Sequence, residues 1–434
     1  FFYAYGEPTY IFLMLISSLL NYILALLIDK NKKRVFLVLA VIVNLGFLGV
    51  FKYTGFLLTT VNSVLNISLP VPDITLPIGI SFFTFQILSY VIDVYRKQVP
   101  VQKNYCKLLL YISFFPQLIA GPIVRYKDIA REIDERHTDM RNFAFGLRRF
   151  IVGLGKKVLI SNTMAVAVDF IFNLNNEDLN ILSAWIGALA YIMQIYFDFS
   201  GYSDMAIGLG RIFGFHFKEN FMYPYIASSI QDFWRRWHIS LSTFFRDYVY
   251  IPLGGNRKGK GRTVLNKIFV FFLTGLWHGA NWTFIVWGLF HGFFLLLEEF
   301  IPQIKKLPKV ISHFYTLVAV TVGFVIFRAD TLSYGLSFIA KMFSGFDFST
   351  EKMSIVIHPL SPFFIIMFIV AIICCGPLQK ISVKVSNLQN SAKSLTKTES
   401  TIQALTFLCA FIIFVWCIIR LAGGTYNPFI YFRF

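Results

Sequence analysis

The chain alternates long apolar runs with short basic ones. A helix rises about 1.5 Å per residue, so about 20 apolar residues cross ~30 Å of hydrocarbon. Runs of this kind lie at roughly 8–28, 35–51, 76–93, 158–173, 181–199, 264–280, 282–300, 310–328, 361–376 and 402–421. Further apolar stretches at 52–67, 105–121, 201–215 and 238–253 are broken by Pro, Gly or charge. They read as re-entrant or interfacial helices, since irregular backbone inside a bilayer must be sheltered by protein. The pattern predicts an all-α polytopic membrane protein. It shows no internal repeat, and residues 1–434 form one integral-membrane domain without a separate soluble unit.

Composition agrees with this reading. The 434 residues are 56% hydrophobic and only 15% charged, with 50 Phe and 21 Tyr. A soluble domain carries about 25% charge. The net charge of +17 would suggest nucleic acid in a soluble protein. Here the basic residues fall in short runs between apolar segments, such as 29–34, 96–103 and 256–262, which is the positive-inside pattern of a membrane protein and argues against nucleic-acid binding. Loops 29–34, 96–103, 125–149, 256–267 and 303–309 are therefore expected in the cytoplasm, together with the polar stretch 379–400. Loops 68–77 and 173–180 lack basic residues and are expected outside. Segments 264–280 and 282–300 then form a hairpin with both feet in the cytoplasm and its tip, WHGANW (277–282), deep in the membrane. The five cysteines form no CxxC pair, and no HExxH or Cys/His cluster indicates a metal.

Ionisable residues inside membrane segments are rare, and each is a functional hypothesis by default. They concentrate between residues 194 and 291. In 194–211, Gln194, Asp198 and Tyr202 share a helix face and Asp204 lies on another; either they bind helix to helix through Arg or Lys partners or they line a substrate path. In 232–257, Trp and Phe alternate with Arg235, Arg236 and Arg246, as in an interfacial helix whose cations face headgroups or an anionic ligand. In 275–292, His278 sits at the hairpin tip among Trp277, Gly279, Asn281 and Trp282. With no nucleophile motif in the chain, an intramembrane His there suggests a general base that takes the proton of an acceptor hydroxyl. Asn281 and Trp282 are the nearest candidates for steadying an oxyanion, and His291, which need not share the site, either packs behind it or lines the substrate path.

The blocks FFPQLIAGPIVRYKD (114–128), QIYFDFSGYSDMAIGLGRIFGF (194–215), DFWRRWHISLSTFFRDYVYIPLGGNR (232–257) and LWHGANWTFIVWGLFHG (276–292) resemble the signature blocks of the membrane-bound O-acyltransferase family. They are most similar to its bacterial polysaccharide O-acetylation branch, which includes alginate and peptidoglycan O-acetyltransferase membrane subunits. The resemblance covers most of residues 1–345, with core motifs over 105–300, and weakens over 346–434. It also suggests that a further membrane segment precedes residue 1. It implies about ten to eleven transmembrane helices around a central tunnel, in a bacterial inner membrane. It implies two characteristic histidines, one matching His238 and the other, the catalytic one, matching His278. It further implies an acyl thioester such as acetyl-CoA as donor, no bound cofactor, a polysaccharide acceptor and a separate extracytoplasmic acetyltransferase as partner. His238 is expected near the cytoplasmic mouth, with Arg235 and Arg236 receiving the anionic donor. The competing function is a transporter or flippase that uses Asp198, Asp204 and the histidines as a proton relay. The lack of an internal duplication weighs against it.

Overall fold

The computed structural model describes residues 2–119, 121–378, 397–424 and 429. Among the described residues there are helices and turns but no strand. Most of the 379–400 stretch lies outside the described residues.

Seven of these helices are long and apolar enough to cross a membrane, and a further pair, Thr350–Ile357 with Pro362–Cys375, passes the same test together but bends by 65°. Three of the ten apolar runs, 76–93, 264–280 and 361–376, give no helix that passes alone, which leaves seven, and several of these lengthen by joining a neighbouring stretch. Runs 35–51 and 52–67 join as one 32-residue element, Arg34–Leu65, through a π-helical segment at Gly49–Tyr53. Run 158–173 is the far half of Met140–Phe172, again across a π-helical segment, Lys156–Ser161. Run 201–215 simply continues Ile181–Ile212. Ile80–Tyr95 has only 16 residues and is almost wholly buried in protein. Lys260–His278 has the length, but Lys260, Arg262, Asn266 and Lys267 make its first half too polar for lipid. The 105–121 stretch breaks into the short helices Tyr105–Ser113 and Phe115–Leu118.

Burial separates centre from rim. Met140–Phe172 and Ile181–Ile212 are each 72% buried over their apolar windows, against 11% for Ser400–Ala422. The two central helices approach backbone to backbone: a Cβ added at Gly153 would stand 2.5 Å from the carbonyl oxygen of Gly201. Small residues at such a seam substitute for the hydrophobic driving force that lipid does not provide.

The predicted hairpin is present as Lys260–His278 and Trp282–Phe300. Its feet are tied by the Lys267–Glu299 ion pair. Near its tip a Cβ at Gly275 would lie 2.3 Å from the carbonyl oxygen of Phe284, so only glycine permits this approach. Nineteen helical residues carry His278 about 27 Å from the foot of the hairpin.

Candidate active site

His278 is the last residue of its helix and is 6% exposed. Its ring is caged by aromatic neighbours, with centroids 5.0 Å from Trp287, 5.1 Å from Trp277 and 5.2 Å from Phe327. Neither ring nitrogen has a hydrogen-bond partner among the described residues. A buried polar group left in this condition requires an explanation, and a catalytic role is one.

His238 arrives from a different part of the chain. Ile230–Arg236 and Ile239–Phe245 are short helices of seven residues each, and His238 makes the turn between them. It does so in the left-handed region, with φ 45° and ψ 55°, which is uncommon for a residue with a side chain. Asn220 supports this conformation. The Asn220 carbonyl accepts from the backbone N–H of Ile239 at 2.9 Å, and its side-chain oxygen accepts from the N–H of Ser240 at 3.1 Å and from the Ser240 hydroxyl at 2.8 Å. That oxygen also lies 3.2 Å from His238 Nδ1. Since the backbone N–H of Ser240 can only donate, the atom facing His238 is the amide oxygen. His238 therefore donates through Nδ1, which leaves Nε2 as an acceptor with no partner among the described residues. The two imidazoles face each other with ring centroids 6.4 Å apart.

A cavity of about 250 Å³ is walled in part by the two residues that follow His238, though neither histidine lines it. Ile239 and Ser240 form part of its wall next to His238, and Arg125, Lys218 and Arg246 supply positive charge. Its rim is held by ion pairs: Arg125 bridges Asp128 at 3.0 Å and Asp247 at 2.9 Å, and Lys218 also reaches Asp128. Burial alone would raise the Asp128 carboxyl, but the hydrogen bonds from Arg125 and Lys218 outweigh it and hold the group below its ordinary value. Tyr248 and Lys127 converge on the buried Asp93 nearby, at 2.8 and 3.2 Å.

The other candidates are distributed differently. Asp198 meets Lys157 and accepts from Ser161 at 3.2 Å. Asp204 meets Lys156 at 2.6 Å and Arg149 at 2.7 Å. Both carboxylates thus bind Ile181–Ile212 to Met140–Phe172, rather than facing the two histidines. Tyr202 packs on the Phe429 ring at 4.8 Å and lines a separate, apolar cavity of about 300 Å³. Arg236 is held by Asp232 at 3.0 Å, and Arg235 is exposed. The cations of the cavity beside His238 are Arg125, Lys218 and Arg246 instead. Asn281 caps the second hairpin helix, accepting from Thr283 N–H at 3.1 Å, and donates to the carbonyl of Asp330 at 3.2 Å. Trp282 is half exposed and packs on Phe56. His291 is fully buried, 5.2 Å from both Trp234 and Trp287, so it shares the aromatic cage one layer behind His278.

Sequence reasoning missed Asn220, Lys52 and Tyr53. Lys52 and Tyr53 donate to carbonyls at the end of the His278 helix. A lysine inside an otherwise apolar run was the available signal for Lys52. Asn220 carries no local signal at all, because its role depends on the turn it meets in space.

A family model described as "MBOAT, membrane-bound O-acyltransferase family" matches residues 95–338. Over the whole chain and 92% of its own length, a probable alginate O-acetylase of Azotobacter vinelandii is 38% identical. One from Pseudomonas fluorescens is 48% identical over 65% of this chain and 57% of its own. A peptidoglycan O-acetyltransferase of Helicobacter pylori is 38% identical over 79% of this chain and 72% of its own.

Proposed function

We propose, since this chain belongs to the membrane-bound O-acyltransferase family, a definite course for the transfer it carries out: His278 acts as general base, a cytoplasmic thioester such as acetyl-CoA is the donor, and an extracytoplasmic polysaccharide hydroxyl is the destination. The chain is a multi-pass membrane O-acetyltransferase. The finer reading is supported by one observation: two buried imidazoles lie 6.4 Å apart, each with an unpartnered nitrogen, and the residues that follow His238 wall a cavity that also carries Arg125, Lys218 and Arg246 with Asp128 and Glu219.

In this reading Lys218 and Arg246 meet the donor's phosphates and the thioester reaches inward past Ser240. His278 accepts the proton of the acceptor O–H as that oxygen bonds to the thioester carbonyl carbon. The tetrahedral intermediate collapses, the C–S bond breaks, and the departing thiolate takes the proton from the His278 imidazolium. His238 Nε2 orients one of the reactants. The aromatic cage keeps water out, which strengthens every dipole aimed at the developing oxyanion. With the basic loops in the cytoplasm, the hairpin places His278 across much of the bilayer from the donor's compartment, so transfer there also moves the acyl group outward. The relatives' names, alginate O-acetylase and peptidoglycan O-acetyltransferase, support a polysaccharide acceptor. In this reading the chain lies in a bacterial inner membrane and works with a separate extracytoplasmic acetyltransferase. The test is release or transfer of label from radioactive acetyl-CoA by the purified protein in proteoliposomes. Turnover that is lost in His278→Ala supports the reading, and wild-type protein that consumes no acetyl thioester overturns it.

A further inference from the structure

An α-helix leaves its last four carbonyls without intrahelical partners, and no bulk water is available to them in a membrane interior. The helix that ends at His278 has all four satisfied. Gly275 O accepts from the Gly279 N–H at 3.4 Å. Leu276 O accepts from the Tyr53 hydroxyl at 2.8 Å. Trp277 O and His278 O accept from Lys52 Nζ at 2.6 and 3.3 Å. The remaining Lys52 donor faces Ser81 Oγ at 3.3 Å.

Both donors come from the π-helical segment Gly49–Tyr53, more than 220 residues away in sequence. A π-helical turn inserts an extra residue and re-aims the side chains that follow. Here it places two consecutive residues, Lys52 and Tyr53, against one helix end. Among the described residues Lys52 has no carboxylate partner. Its amine instead faces the negative end of the helix dipole. The arrangement matters because the His278 ring nitrogens are bare: no side-chain hydrogen bond fixes the ring, so its position is inherited from its backbone and the surrounding aromatic rings.

We propose that Lys52, assisted by Tyr53, is a positioning residue for His278. It is a hydrogen-bonding cap that fixes the end of the catalytic helix so that the imidazole meets the reacting hydroxyl. This rests on the reading of His278 as the base. A misplacement of about 1 Å can cost up to about 100-fold in rate without weakening substrate binding.

Acetyl transfer from acetyl-CoA is measured in proteoliposomes for wild type, Lys52→Met, Lys52→Arg, Tyr53→Phe and His278→Ala, with melting temperature in detergent recorded for each. Lys52→Met is expected to lower kcat by about 10- to 100-fold with donor KM within about twofold, and Lys52→Arg to recover part of the loss. Tyr53→Phe, which removes one hydroxyl and leaves the ring, is expected to lower kcat a few-fold at an unchanged melting temperature. It keeps the idea testable if Lys52→Met does not fold. Wild-type kcat in both folded Lys52→Met and Tyr53→Phe, with His278→Ala inactive, overturns this proposal alone. So does a loss confined to donor KM. Full activity in His278→Ala removes the underlying reading instead.

Discussion

Two regions of the molecule place ionisable residues among its packed helices in opposite ways. Along the central seam, Asp198 and Asp204 meet Lys157, Lys156 and Arg149. At the hairpin tip, the rings of His278 and His238 lie 6.4 Å apart, and both ring nitrogens of His278 and the Nε2 of His238 meet no hydrogen-bonding group among the described residues. Asp198, His238 and His278 are all buried, so burial does not distinguish the two regions. Pairing does. A buried charge matched by an opposite charge holds two helices in register and is costly to break. A buried polar group left unmatched is poised to bind or to react. The first group should therefore be sensitive in stability and the second in turnover.

The sharpest test of that division is His278→Ala. It is expected to insert and melt like wild type while losing about 10²- to 10⁴-fold in acetyl transfer, the usual contribution of a general base. Retention of half the wild-type rate by the purified variant would remove His278 from the chemistry. The seam should respond in the reverse sense. Lys157→Met leaves the Asp198 carboxylate without this partner, and breaking a buried pair costs about 3–5 kcal/mol. The expected outcome is a clear fall in melting temperature in detergent, with kcat per folded molecule changed by less than the His278 variant changes it. A thermally normal but inactive Lys157→Met would move the seam into the active site.

Asn220→Ala lies between these extremes, since it removes the acceptor that fixes the His238 tautomer and turn. About a tenfold loss of activity is expected, in line with the loss of one supporting hydrogen bond to a functional histidine. Conservative replacement by Asp, which keeps an acceptor oxygen, should recover more activity than Ala.

The smallest effects belong to the rim. Arg235 is exposed whereas Arg246 and Lys218 line the cavity, so Arg235→Ala should leave donor KM within about twofold while Arg246→Ala raises it. The rim also sets an acid limit. Asp128 is held below its ordinary 3.8 in the folded protein, so its ion pairs contribute stability above that value and lose it as pH falls through the depressed one. Donor KM should therefore stay flat as the assay pH falls from 7 to about 5 if Asp128 and its partners hold the rim. A rise already at pH 6 would point to a different titrating group.

Much of this was legible along the chain. The apolar runs located the membrane segments, and a Gly-Ala-Asn break between two of them placed His278 at a hairpin tip, where the structure has it. The alternative that Asp198 and Asp204 serve as interhelical ties was also available in the sequence, and the structure gives both that kind of partner. The span count was less legible. Ile80–Tyr95 is short because protein surrounds it, and Lys260–His278 can carry lysines because its foot is polar. Hydropathy registers the solvent a helix needs and is blind to the neighbours it obtains. Asn281 and Trp282 were chosen by proximity in sequence, yet their side chains turn to the adjacent helix end and to Phe56.

The sequence by itself determined that this protein is helical, lies in a bilayer and carries a histidine at a break between two membrane helices. Those properties follow from local quantities: the length of an apolar run, the charge of a short loop, the residues at a helix end. Only the tertiary structure decided which polar groups meet. His238 reaches His278 through a left-handed turn held by Asn220, and Lys52 reaches the same helix end from more than 220 residues away in sequence. Such meetings depend on how far each helix is rotated about its axis and how deep it sits. Side-chain packing at close approach sets those two quantities, whereas an apolar run can slide or turn in lipid at little cost.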